Sequence, residues 1–123
     1  MARLVLPPCD TAALTAPDSG ALAMQAFHES WRQSALGVFT DAEIYSAPWG
    51  FAPREIRTPV RLWHGAEDRN FVPAFAEAMA RELHACTFRL MPGVGHYSLP
   101  IRHAREIVAD LFAHPTIPLH TAV

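Results

Sequence analysis

The chain has 123 residues, half of them hydrophobic and 18% charged, with a formal net charge of −2. That is the composition of an ordinary soluble globular domain, long enough for one core of its own. The ten basic residues are all arginine and form no cluster, which argues against a nucleic-acid-binding face. No stretch reaches the ~18 apolar residues of a membrane span.

The chain opens Met-Ala-Arg-Leu-Val-Leu-Pro-Pro, too short an apolar run for a secretory leader. Cys9 and Cys86 form neither a C-x-x-C pair nor a zinc-finger spacing. A cytoplasmic protein with free thiols is the expectation. Pro7, Pro8 and Pro17 read as breaks, with a short helical turn after Asp10, whose side chain suits a cap for Thr-Ala-Ala-Leu. Asp18 or Ser19 then caps a longer predicted helix running to about Leu36. Ala21, Met24, Phe27 and Trp31 form its apolar stripe, and Gly37 stops it. A weaker helical stretch covers 41–45. Pro48, Trp49, Gly50, Phe51 and Pro53 interrupt regular structure and mark a boundary.

Beyond that boundary the pattern changes. Residues 60–64 predict a strand, ended by Gly65. Pro73 opens a helix to about His84, with Phe75, Met79 and Leu83 spaced by four. Residues 87–91 predict a second strand. A loop through Gly93 and Gly95 leads to His96, and an amphipathic helix spans about 101–113. Strand, helix, strand, helix reads as a right-handed crossover with two parallel strands. The expected organisation is a helical lid-like segment over 1–50, an α/β portion over 51–115 and an irregular tail over 116–123.

Loops after the carboxyl ends of parallel strands are where α/β folds place their chemistry. One such loop holds Glu67 and Asp68, the other His96, and strands paired directly lie about 4.8 Å apart. A carboxylate and an imidazole therefore meet at one sheet edge, as the orienting acid and general base of a nucleophilic triad do.

Residues 62–73, Leu-Trp-His-Gly-Ala-Glu-Asp-Arg-Asn-Phe-Val-Pro, resemble the acid loop of the α/β-hydrolase superfamily. Residues 91–99, Met-Pro-Gly-Val-Gly-His-Tyr-Ser-Leu, resemble its histidine loop, and Ile-Arg-Thr-Pro-Val at 56–60 resembles the lead-in to its acid strand. The resemblance covers about 54–113 well and 1–50 only loosely, as the end of a helical lid. It implies a partial α/β-hydrolase fold, with Asp68 as the catalytic acid and His96 as the base. It also implies small ester or acyl substrates and no metal or organic cofactor. Glu67 is the second choice for the acid.

The family's nucleophile lies earlier in the chain, on a G-x-S-x-G elbow. No such motif occurs here with Ser, Cys or Asp at its centre. Ser98 is too close to His96 in sequence for triad geometry. Ser19, Ser30, Ser34 and Ser46 read as caps or surface residues, and Cys86 as a small core residue. His64 reads as structural, and His28, His84, His103, His114 and His120 as helix-surface or tail residues. Trp49 and Phe51 read as lid packing or pocket lining. The expectation is a C-terminal hydrolase portion, inactive alone, whose exposed strand edge pairs with a second copy or with an N-terminal complement. A non-catalytic binding module derived from that fold is the alternative. An unrelated redox or nucleotide-binding unit lacks C-x-x-C and G-x-G-x-x-G.

Overall fold

The computed structural model describes residues 6–32 and 34–113; the expected tail over 116–123, with His114 and His120, lies outside them. Helix α1 (Pro8–Thr15) is followed by α2 (Pro17–Trp31) and α3 (Leu36–Ser46). A single 3-10 turn at Pro53–Glu55 leads into β1 (Val60–Gly65), α4 (Pro73–Glu82), β2 (Cys86–Met91) and α5 (Ser98–Ala113).

Proline starts helices in this chain, as expected at Pro73 but not at Pro8 and Pro17. Pro8, Pro17 and Pro73 each stand in the first turn of a helix, where the missing N–H costs nothing and the fixed φ is already helical. The expected breaks at Pro8 and Pro17 are therefore helix starts. Ala16, rather than Asp18 or Ser19, is the N-cap of α2. The expected long helix to Leu36 ends instead at Trp31. The Ser34 hydroxyl accepts the Leu36 N–H at 3.2 Å, a local bond that competes with helix continuation. Leu36 then opens α3, so Gly37 lies inside a helix rather than ending one, and the stretch at 41–45 belongs to the longer α3. Helix α4 stops at Glu82, short of His84, and α5 starts at Ser98, ahead of Ile101.

The two strands pair in parallel, from Val60 opposite Cys86 to Gly65 opposite Met91. Helix α4 connects them and packs on both, and α5 packs on β1. Arg61 and Trp63 project from one face of β1, because side chains two apart share a face, and Arg89 stands opposite Trp63. All three meet Asp110 of α5. Arg61 Nη1 donates to its Oδ1 at 3.2 Å, Arg89 Nη2 to the same oxygen at 3.2 Å, and Trp63 Nε1 to Oδ2 at 3.3 Å. The Arg89 guanidinium also lies 4.8 Å from the Trp63 ring centroid. Helix α1 packs on both α2 and α5.

Among the described residues Pro7, Ala13, Val94 and Leu99 are buried apolar side chains, whereas Leu22, Phe39, Tyr45, Phe75 and Phe112 are well exposed. Neither strand has a second neighbour among these residues, so each keeps one unpaired edge. No helix among them is long and apolar enough to cross a membrane.

Candidate active site

The loops that follow β1 and β2 are joined by their backbones. Ala66 N–H donates to Met91 O at 2.8 Å, and Glu67 N–H donates to Val94 O at 2.9 Å. Gly65 makes this approach possible, since a Cβ there would sit 2.5 Å from the Val94 carbonyl oxygen.

Asp68 and His96 meet across this seam. His96 Nδ1 and Asp68 Oδ2 are 3.0 Å apart. The other carboxylate oxygen accepts the N–H groups of Asn70 at 2.8 Å and Phe71 at 2.9 Å. Asp68 is 6% exposed. Burial pushes its carboxyl up, but the Phe71 N–H, His96 and the Asn70 N–H outweigh this, and together they hold it below the ordinary carboxylate value. Ionised Asp68 only accepts, so His96 Nδ1 donates this bond, and in the neutral ring the lone pair then lies on Nε2. Nε2 is the nitrogen a general base uses, and the His96 side chain is 34% exposed. The Phe71 and Tyr97 rings flank it at centroid distances of 5.6 and 5.0 Å.

Glu67 is exposed at the surface and has no side-chain bond to either histidine. His64 approaches from β1: its Nε2 is 3.7 Å from Asp68 Oδ2 and 2.8 Å from the Phe71 carbonyl. A carbonyl only accepts, so His64 Nε2 carries a proton and ties β1 to the loop at Phe71.

Sequence reasoning gives Asp10 only a local capping role. Its carboxylate is wholly buried and turns away from its own helix, correcting the expected local cap. His96 N–H donates to Oδ2 at 3.0 Å, while Tyr97 N–H at 3.1 Å, Ser98 N–H at 2.7 Å and Ser98 Oγ at 2.6 Å donate to Oδ1. A carboxylate this rich in donors 86 or more positions away leaves no local pattern. With α5 starting at Ser98, the residue before it is Tyr97, whose side chain cannot cap, so the cap comes from elsewhere.

The hydroxyl candidates for a nucleophile are all engaged. Ser98 is fully buried, donating to Asp10 and accepting the Gly95 N–H at 2.7 Å. Ser19, Ser30 and Ser46 donate to the carbonyls of Ala13, Phe27 and Ala42, and Ser34 accepts from Leu36. Cys9 and Cys86 are both free and half-buried. Among the described residues no group of three or more His, Cys, Asp or Glu side chains is arranged to hold a metal ion. Two apolar hollows stand nearby in the chain. One, of about 240 Å³, is lined by Leu6, Leu14, Met24, Phe27 and Tyr97 and so adjoins His96 through Tyr97. The other lies around Ile44, Tyr45, Trp49 and Phe51.

Comparison with family models, with curated proteins and with solved structures finds no match in any of the three.

Proposed function

We propose that this chain supplies the acid and the base of a hydrolytic site of α/β-hydrolase type, acting on small ester or acyl substrates. Asp68 orients His96, and His96 Nε2 takes the proton of a nucleophile that attacks the carbonyl. The observation that carries the reading is the 3.0 Å bond from His96 Nδ1 to a buried Asp68 that also accepts two backbone N–H groups. The occupied serines and the absence of a G-x-S-x-G elbow in the sequence support a nucleophile from outside these residues. The half-site is inactive by itself, and the open strand edges and exposed apolar side chains are where a second copy or a nucleophile-bearing complement docks. A cytoplasmic setting suits the two free thiols.

A second reading is favoured by one feature. Tyr45, Trp49 and Phe51 are exposed around an open apolar hollow, which suits a binding module without catalysis. Turnover of short p-nitrophenyl esters separates the two. The chain is assayed alone and mixed with the nucleophile-bearing N-terminal half of a known α/β-hydrolase, beside its His96→Ala and Asp68→Asn variants. The expected result is no turnover alone, and turnover in the mixture that both variants abolish. Turnover by the chain alone that both variants abolish would place the nucleophile inside it and overturn the half-site. Turnover in the mixture that is indifferent to His96 would overturn the hydrolytic role.

A further inference from the structure

We infer that Asp10 is a positioning residue for His96, an inference that rests on His96 serving as the base proposed above. Two carboxylates divide the task. Asp68 orients the ring, and Asp10 fixes the backbone from which the ring projects.

The donors at the start of α5 account for themselves without remainder. The N–H groups of His96, Tyr97 and Ser98 go to Asp10. The Gly95 N–H goes to Ser98 Oγ, whose own O–H donates to Asp10. The Leu99 N–H goes to Gly95 O at 3.3 Å, Pro100 has none, and the Ile101 N–H goes to Tyr97 O at 3.3 Å. One side chain thus satisfies, directly or through one hydroxyl, four successive N–H groups centred on the base. Each such bond removes a rotation that would otherwise swing the His96 Cα–Cβ direction away from Asp68.

The fit is close as well as polar. A Cβ at Gly95 would lie 2.5 Å from Asp10 Oδ2, so the carboxylate occupies the space a larger residue would need. The segment carrying Asp10 is itself tied down, since Arg102 Nη2 of α5 donates to Cys9 O at 3.2 Å. Asparagine cannot replace this group. Its amide NH₂ would face an N–H where Asp10 presents an acceptor.

The test reads the imidazole rather than turnover. The chain is labelled with ¹⁵N-histidine, and long-range ¹H–¹⁵N correlation follows each ring, with His96 assigned by its loss in His96→Ala. In the native chain His96 holds the Nδ1–H tautomer with a downfield, slowly exchanging Nδ1 proton. In Asp10→Ala that resonance is expected to disappear and the tautomers to mix, and added formate, which refills the vacated carboxylate position, is expected to restore both. Ser98→Ala, which removes only the hydroxyl link, is expected to shift the resonance part of the way. A folded Asp10→Ala variant that keeps the tautomer and the downfield proton overturns the inference. Should Asp10→Ala fail to fold, Ser98→Ala decides, and a resonance identical to the native one overturns it. Because these signals need no nucleophile, they separate this inference from the hydrolytic reading, which stands or falls on the ester assay.

Discussion

Asp110 of α5 lies beneath Trp63 of β1, its Oδ2 accepting the indole N–H at 3.3 Å while Oδ1 accepts from two arginines. This carboxylate couples the last helix to both strands. Asp110→Ala leaves the largely buried Arg61 uncompensated and the indole N–H without its acceptor. We expect a loss of about 2–3 kcal/mol, the lower part of the range for breaking a buried pair, because the arginines keep some contact with water. Arg89→Ala, at the half-exposed partner, is expected to cost about 1 kcal/mol or less. Urea denaturation of the two variants measures the difference.

The seam between the loops predicts the behaviour of its glycines. Gly65→Ala drives a methyl onto the Val94 carbonyl, and Gly95→Ala drives one onto the Asp10 carboxylate. Each is expected to destabilise by about 1–3 kcal/mol, as overpacking does. Gly37→Ala, which meets open space within α3, is expected to stabilise by roughly 0.5–1 kcal/mol. Thermal melts monitored by circular dichroism rank the three.

Acid should act through Asp68. Its folded pKa is held below the unfolded value, so its charged form contributes stability that is complete above the ordinary carboxylate range. That contribution fades as pH falls through the lowered folded value. The stability gap between the native chain and Asp68→Asn is therefore expected to narrow as pH falls below about 4. Denaturation midpoints below that pH report the gap; a gap that widens there would contradict the sign.

His64 and His96 both approach Asp68, yet they should respond differently to substitution. His64→Ala removes the bond to the Phe71 carbonyl and is expected to cost about 1 kcal/mol. His96 should keep its Nδ1–H tautomer in that variant, because its own bond to Asp68 is unaffected. Asp68→Asn should disturb the tautomer and, in a complemented site, lower turnover by about 10⁴-fold. Ring ¹⁵N shifts and ester kinetics check the two halves.

The parts of this molecule that lie close in sequence were legible from it. Period and punctuation gave β1, α4 and β2 to within a few residues, and the loop residues Asp68 and His96 proved to be in contact. Helix starts were misplaced where proline was read only as a breaker, since Pro8 and Pro17 act through their fixed φ. The break between α2 and α3 carries a Ser34 hydroxyl bond, which helical periodicity does not register. Asp10 was hidden for a different reason. A buried carboxylate and a surface cap have the same letter, and its partners lie almost the whole chain away.

That separation bears on the order in which the chain assembles. The Asp68–His96 bond closes a loop of 28 positions, and the Asp10–Ser98 bond one of 88. By loop-closure entropy the longer ring costs about 1 kcal/mol more to shut. On closure entropy alone, the strand–helix–strand unit is expected to join Asp68 to His96 before the N-terminal helix brings Asp10 to the His96 backbone, an order that amide exchange during refolding would read.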